Sequence, residues 1–548
     1  MTRRLRRAVL FAVPTLAILV AACGGDAARA ASRVPLYDDL GTLHREITTT
    51  VPLAQRYFDQ GLRLVYGFNH AEAVNSFQEA ARLDPSCAMC YWGIALALGP
   101  NINLPMDTAQ VGPAWDAIQA ARARAPQAGE RDQAFIAALA TRYAALPTAS
   151  RAGLDSAYAR AMHDLTRRFP DDPDAAVLYA DAVMNLAPWN YWTPELTPRP
   201  GTAEIVATLE RVQRAYPDHP GACHFYIHAV EASSAPERAV PCAERLPGLM
   251  PGAGHVVHMP AHVYMRVGRY ADAVRANEHA AHADEAFFER RPANAKGFYS
   301  FYYAHNLHFL WAAAQMEGRS AEALRAAKQL EKAVSLDMVR QNPFVEFVVP
   351  ARLFGLTRFS RWEEILREPA PPADLTYTRA IRHYARARAL VATGRLAEAA
   401  VERDSVVAMR QAVLGQPLGF NTGGNLLAVA IGTLDGVIAA RRGDADGATR
   451  ALSEAVKIED ALVYDEPPPW YYPVRQSLGA MLLEAGRAAQ AERVYREDLR
   501  RNPENGWSLY GLAQALQAQH KTVEAAAMDE RFKRTWVRAD VTLQRSSL

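Results

Sequence analysis

Charge of one sign is what this chain most clearly lacks. Its 61 basic and 59 acidic residues leave a formal charge of +2 over 548 residues, and no long block of one sign interrupts the mixture. Nucleic-acid recognition draws on a concentrated positive field, so the sequence predicts no nucleic-acid partner. β-Branched runs are scarce and alanine-rich stretches common, a balance that favours helices. Contiguous catalytic signatures are also missing: there is no sequential nucleophile motif, phosphate-cradling loop or zinc-hydrolase signature. Cysteine is sparse, with five in all.

The N-terminal apolar run, Ala8 to Val20, is too short for a spanning helix and follows Arg3, Arg4, Arg6 and Arg7, the order of an export signal. Its end, "VAACGG", resembles the bacterial lipoprotein signal, in which the cysteine, here Cys23, is lipidated and becomes the mature N-terminus. The resemblance implies a signal peptide over 1–22, a lipidated N-terminus and tether over 23–53, and membrane attachment through Cys23. Gly24 rather than Asp after Cys23 leans toward the outer membrane, facing the periplasm, as the address in the cell envelope. The alternative is a soluble secreted protein cleaved near Ala22.

An exported chain is disulfide-permissive. Cys87 and Cys90, in "SCAMCYW", are spaced for a local disulfide, a pair of buried thiols, or a redox or metal-binding pair. Tyr91 in place of His after Cys90 argues against covalent haem. Cys223 and Cys242 carry no spacing that assigns their partners.

What the chain has in abundance is internal repetition, the signature of a solenoid. In "YFDQGLRLVYGFNHAEAVNSFQEAARLDP", Gly61, Ala73, Phe77, Ala80 and Pro85 occupy places that resemble the packing positions of the tetratricopeptide repeat (TPR). The same offsets return as Gly479, Ala491, Tyr495, Asp498 and Pro503, with Asp498 in place of the usual small residue. Between them, Pro126, Pro170, Pro217 and Pro251 close apolar helical patterns, and "GRSAEAL", "GRLAEAA" and "GDADGATRAL" mark further helix-turn-helix units. The sequence is therefore identified as an all-α, TPR-type solenoid of about ten helical hairpins with loop insertions. One array is expected over 54–345 and a more regular one over 346–548. Stacked hairpins bury their apolar faces against one another and curve around a concave groove. Insertions at 99–112, 188–201 and about 285–303, together with "YDEPPPWYYPVRQ" (464–476), depart from the repeat. The first two are candidates for functional loops at a groove mouth, whereas the aromatics of 464–476 are expected to pack between hairpins.

Histidine is distributed unevenly over this register. In the TPR family the second, fifth and ninth residues of the first helix usually face the groove. Hairpins starting at Pro220, Gly254 and Ala304 put His224 and His228, then His255, His258 and His262, then His305 and His308 in seven of those nine places, with Glu231 a turn beyond His228. With 15 histidines in 548 residues, chance would put about a quarter of one histidine there. Imidazoles three or four residues apart share one helix face, and neighbouring helices pack about 8–10 Å apart. A shared transition-metal site of zinc, copper or iron is thus expected from His224, His228, Glu231, His255, His258, His262, His305 and His308; the alternatives for the set are a buried polar network that rigidifies the array and recognition of a peptide or small ligand without metal. Pro260 breaks this expectation locally: it must kink the helix or start it near Met259. Pro241 is expected to interrupt the preceding helix. His70, His163, His219, His279, His282, His383 and His520 are left as structural or exposed.

Three functions follow from these features. The first is a lipid-anchored envelope scaffold that holds a protein or peptide in a histidine-lined, metal-binding groove. The alternatives are a metal-dependent envelope enzyme using the same cluster, or a metal-free assembly or peptide-binding factor. No residue is assigned a catalytic role.

Overall fold

A computed structural model describes residues 34–145 and 150–547. The export signal and Cys23 lie outside the described residues. Among those residues there are twenty-six α-helices and one small sheet, a ribbon pairing Pro417–Leu418 with Asn421–Thr422. The helices pair into twelve successive hairpins, so the all-α TPR-type solenoid is the observed architecture.

Hairpin packing explains the repeated small and large residues. Phe77, fully buried, lies between Gly61 of its own hairpin and Gly93 of the next; a Cβ at either glycine would come within 2.6 Å and 2.3 Å of its ring. Tyr495 repeats the arrangement between Gly479 and Gly511, where added Cβ atoms would fall 2.4 Å and 2.3 Å away. Glycine is thus required for ring-to-backbone packing in these helices, despite its cost to helix stability. Burying one such ring contributes about 1.5–3 kcal/mol. Between helices, Gly268 and Gly318 adopt φ of 77° and 70°, a left-handed turn that returns the chain with few residues.

Two boundaries differ from the sequence expectation. Residues 36–53 do not form a free tether. The Tyr37 hydroxyl donates to Glu72 Oε1 at 2.7 Å, the Thr48 amide donates to Asp132 Oδ2 at 2.8 Å, and Arg45 Nη1 lies 3.0 Å from both Asp172 and Asp174. Arg45 is 4 % exposed, and the two carboxylates offset the cost of burying its charge. Nor is 345/346 a separation, because residues from Leu36 onward form one compact unit. The Tyr270 hydroxyl donates to the Pro503 carbonyl at 3.0 Å, and Trp507 Nε1 donates to the Gln315 carbonyl at 2.9 Å. The amides of Ser320 and Ala321 donate to the Asp540 carboxylate. Superhelical curvature brings these positions together, a long-range consequence that hairpin patterns do not encode.

Both prolines near the histidine region are accommodated. Pro241 lies in the first turn of helix Val240–Leu249, where no amide donor is needed, and so begins that helix instead of interrupting it. Pro260 separates helices Gly254–His258 and Pro260–Arg266, but Met259 between them keeps helical dihedrals (φ −49°, ψ −36°) and the His262 amide donates to its carbonyl at 3.2 Å. The histidines consequently stay in one helical register across the junction. Cys87 pairs with Cys90, and Cys223 with Cys242. The second disulfide ties helix Pro220–Val230 to Val240–Leu249, the partner helix of its hairpin.

Candidate metal centre

Three consecutive hairpins place the histidines: helix Pro220–Val230 carries His224 and His228, the Gly254–Arg266 segment carries His255, His258 and His262, and helix Ser300–Met316 carries His305 and His308. His224, His228, His255, His258 and His262 are each at most 2 % exposed, and Glu231 is fully buried. The expected open groove is therefore closed at this level. The chain's own insertions cover it, because loops that leave a tightly stacked solenoid on its concave side have only the groove to fill.

From the 188–201 loop, the Trp189 ring meets His228 edge-on with centroids 4.9 Å apart, and Phe420 packs 5.7 Å from Trp189. From the 99–112 insertion, Asn103 Nδ2 donates to the Tyr302 hydroxyl at 3.3 Å, and the Tyr302 ring lies 4.2 Å from that of His255. From 464–476, Glu466 Oε2 comes within 3.9 Å of His262 Nδ1.

Hydrogen bonds orient the rings. His224 Nδ1 donates to the Tyr66 carbonyl at 2.6 Å, and His228 Nδ1 to Glu231 Oε1 at 2.9 Å. His258 Nδ1 lies 2.6 Å from Asn277 Oδ1, and Asn277 Nδ2 donates to the Ala273 carbonyl at 2.7 Å. That second bond fixes the amide so that its oxygen faces the imidazole, which must then be protonated on Nδ1. His262 Nδ1 is 2.5 Å from Glu231 Oε2, a close ionic contact off the line of an ideal hydrogen bond. Four imidazoles thus commit Nδ1 outward to an oxygen, leaving Nε2 to face the cluster interior. A metal-ligating histidine has this arrangement, with an outer oxygen setting the tautomer and increasing ligand basicity.

The inner nitrogens crowd together. His258 Nε2 and His262 Nε2 are 2.8 Å apart, and His224 Nε2 and His255 Nε2 are 3.2 Å apart. His228 Nε2 and His255 Nδ1 have no hydrogen-bond partner among the described residues. Burial, then neighbouring imidazoles, pushes His255, His258 and His305 well below the ordinary imidazole value, and burial and His228 do the same to His224. These rings are neutral and hold free lone pairs, the form that binds a metal. His262 is the exception: burial opposes its charge, but Glu231 and Glu466 raise its value. Burial likewise opposes ionisation of Glu231, which His262 and His228 nevertheless hold below the usual carboxylate range. Burial and the charge of Glu231 push Glu466 up.

Most of the expected residues converge. His224, His228 and His255 each offer a donor atom within a 4.8 Å set; His258, His262 and His305 form a second such set, and Glu231, His262 and Glu466 a third. His308 does not join them and is corrected to a packing residue. Its ring stacks on Trp311 at 5.4 Å and meets Tyr471 edge-on at 5.2 Å, and burial pushes it down to about 3. Three residues beyond His305, it points toward the next hairpin instead of across the groove. The aromatics of 464–476 pack between hairpins as expected, since Tyr471 also meets Phe354 at 4.9 Å.

Sequence reasoning missed Asn277, the Tyr66 carbonyl and Glu466. Asn277 follows Ala273 by one helical turn in the second helix of the histidine hairpin and was legible as a polar residue on an apolar face. Glu466 lies in an insertion outside the repeat register, so no spacing in the sequence connects it to the histidines.

No family model and no curated protein matches the chain. Among solved structures, it is similar to the human IFIT1 dimer with m7Gppp-AAAA at 13 % identity and TM-score 0.33, covering 89 % of this chain and 91 % of that one. The TPR domain of P58(IPK) is similar at 13 % identity and TM-score 0.24, covering 86 % and 99 %. Yeast Tom70 is similar at 10 % identity and TM-score 0.27, covering 90 % and 91 %.

Proposed function

We propose that this chain is an exported, lipid-anchored TPR scaffold of the cell envelope that holds a transition metal, zinc, copper or iron, in the histidine interior of its solenoid. The observation that carries the metal reading is the pairing of His258 and His262. Both rings turn Nδ1 to an oxygen, so neutral rings would face each other lone pair to lone pair at 2.8 Å. Such a contact is relieved by a metal ion between or beside the nitrogens, or by a proton on His262 Nε2. Burial of five imidazoles, with His305 half-buried beside them and few internal acceptors, favours the metal, which satisfies several lone pairs at once.

The proposal of export and a lipid anchor rests on the "VAACGG" signal and Cys23. A protein or peptide partner would bind a face other than the histidines, since Trp189, Tyr302 and Phe420 cover them. Nucleic acid is not among the partners proposed, given the balanced charge.

Elemental analysis of the mature chain, purified without a histidine tag and dialysed against zinc, copper or iron, tests the metal reading. Stoichiometric metal in wild type and its loss in a His255→Ala, His258→Ala, His262→Ala variant are expected. A metal-free wild type with no thermal stabilisation by any of the three ions would mean that a protonated His262 closes the network instead.

A further inference from the structure

We infer that the histidine interior is a two-ion centre: His224, His228 and His255 hold one transition ion, His258, His262 and His305 hold a second, and Glu231 links the two from outside. This inference rests on the metal reading above and adds the number of ions and their ligands.

The donor atoms separate into two sets. Within each triad they lie inside 4.8 Å of one another, and among the described residues no fourth imidazole joins either triad within that distance. The rings themselves form one continuous cluster, with centroids 4.9, 5.0 and 6.1 Å apart in the first triad, 4.7, 4.8 and 5.7 Å in the second, and 5.5 and 5.9 Å between them, so the division lies in where the donor nitrogens point. A tetrahedral ion takes four ligands, so six imidazoles exceed what a single ion needs. Each triad also contains one close Nε2 pair, at 3.2 Å in the first and 2.8 Å in the second. Metal–nitrogen bonds of about 2.0–2.1 Å place ligand nitrogens about 3.3–3.6 Å apart around an ion. The paired nitrogens therefore open slightly, and the third ring of each triad moves inward by about 1 Å.

Glu231 contacts one ligand of each position. Its Oε1 accepts from His228 Nδ1 of the first triad, and its Oε2 contacts His262 Nδ1 of the second. One carboxylate thereby orients a ligand for each ion and supplies negative charge between two buried cations, which reduces the cost of placing them close together. Three protein nitrogens per ion leave a coordination position open on each, as three-ligand sites do. The ions implied are those that imidazole favours, with Zn(II) and Cu(I) as practical probes.

The test is the metal-to-protein ratio of the full mature chain, without a histidine tag, after dialysis against Zn(II) or, under anaerobic conditions, Cu(I). Two ions per chain are expected in wild type. One is expected in the His224→Gln/His255→Gln variant and one in His258→Gln/His305→Gln, with three nitrogen neighbours at about 2.0–2.1 Å per ion by X-ray absorption. If a double variant fails to fold by circular dichroism, the single variants His224→Gln and His305→Gln report the same two positions as selective loss of one ion. A single ion in wild type, or loss of both ions in either variant, overturns the two-ion inference and leaves the metal reading intact. Absence of any bound ion overturns both.

Discussion

Two polar clusters are buried in this solenoid, and they are closed in different ways. Around Asp498, each carboxylate oxygen has donors: Asn502 Nδ2 reaches Oδ1 at 3.1 Å, while the Ser508 hydroxyl, Asn505 Nδ2 and Gln476 Nε2 reach Oδ2 at 2.5, 3.2 and 3.3 Å. Asn505 also caps the following helix by accepting from the Ser508 amide. The Asp498 carboxylate is satisfied without a ligand, although Gln476 Oε1 has no partner among the described residues, and the cluster serves to join three successive helices. The histidine cluster is satisfied only on its outside, and its inner nitrogens face one another or nothing. Buried polar groups kept for structure are normally paired within the protein; the unpaired nitrogens concentrated at one point are what the proposed ions would satisfy.

The sharpest way to break the first member of this comparison is Asp498→Ala. It strands four donors in a buried setting, and a loss of about 3–5 kcal/mol is expected, read by urea unfolding of the C-terminal hairpins, with no change in bound metal. Metal removal is the matching disturbance of the second member. Saturation at about a thousand times Kd adds about 4 kcal/mol, so chelation should lower the melting temperature of wild type. In a folded His258→Gln/His262→Gln variant the same treatment should have a smaller effect, as scanning calorimetry would show.

A subtler probe is Asn277→Leu, which removes the oxygen that sets the His258 tautomer. A fall in metal affinity of about 10- to 100-fold is expected in competition titrations, while far-ultraviolet circular dichroism stays unchanged. A pH-dependent effect is expected beside the Asp498 cluster. Burial pushes Glu459 up to about 8 although the Val474 amide donates to it. A carboxyl raised in the folded state contributes stability below its unfolded value, and that contribution is lost as pH rises through about 8. Glu459→Gln should therefore raise the melting temperature relative to wild type at pH 9 and not at pH 5. An equal shift at both values would show that titration is not the cause.

Legibility in the sequence followed the range of the interaction. Phe77 and Tyr495 revealed the hairpins because a ring against glycine recurs at fixed offsets within about thirty residues. Asp498 was visible as a departure from that pattern, but its partners Gln476, Asn505 and Ser508 were not, since side-chain networks leave no period. The histidines were found through the helix register, and the same register overreached at His308: it fixes a direction around the helix axis but not which layer a neighbouring insertion fills. Arg45 was missed entirely, because its partners Asp172 and Asp174 lie more than 120 residues away.

By itself the sequence determined the helical hairpin, its glycine–aromatic packing and the concentration of imidazole on three neighbouring first helices. These depend on contacts within one or two hairpins, where residue spacing and spatial spacing are locked together by the helix. Only the tertiary structure decided that the groove is closed by Trp189, Phe420 and Glu466, that six imidazoles separate into two triads, and that Glu231 touches both. Those outcomes depend on how a dozen hairpins accumulate curvature and where the insertions then fit, and small rotations at each step sum to a geometry that no local pattern carries.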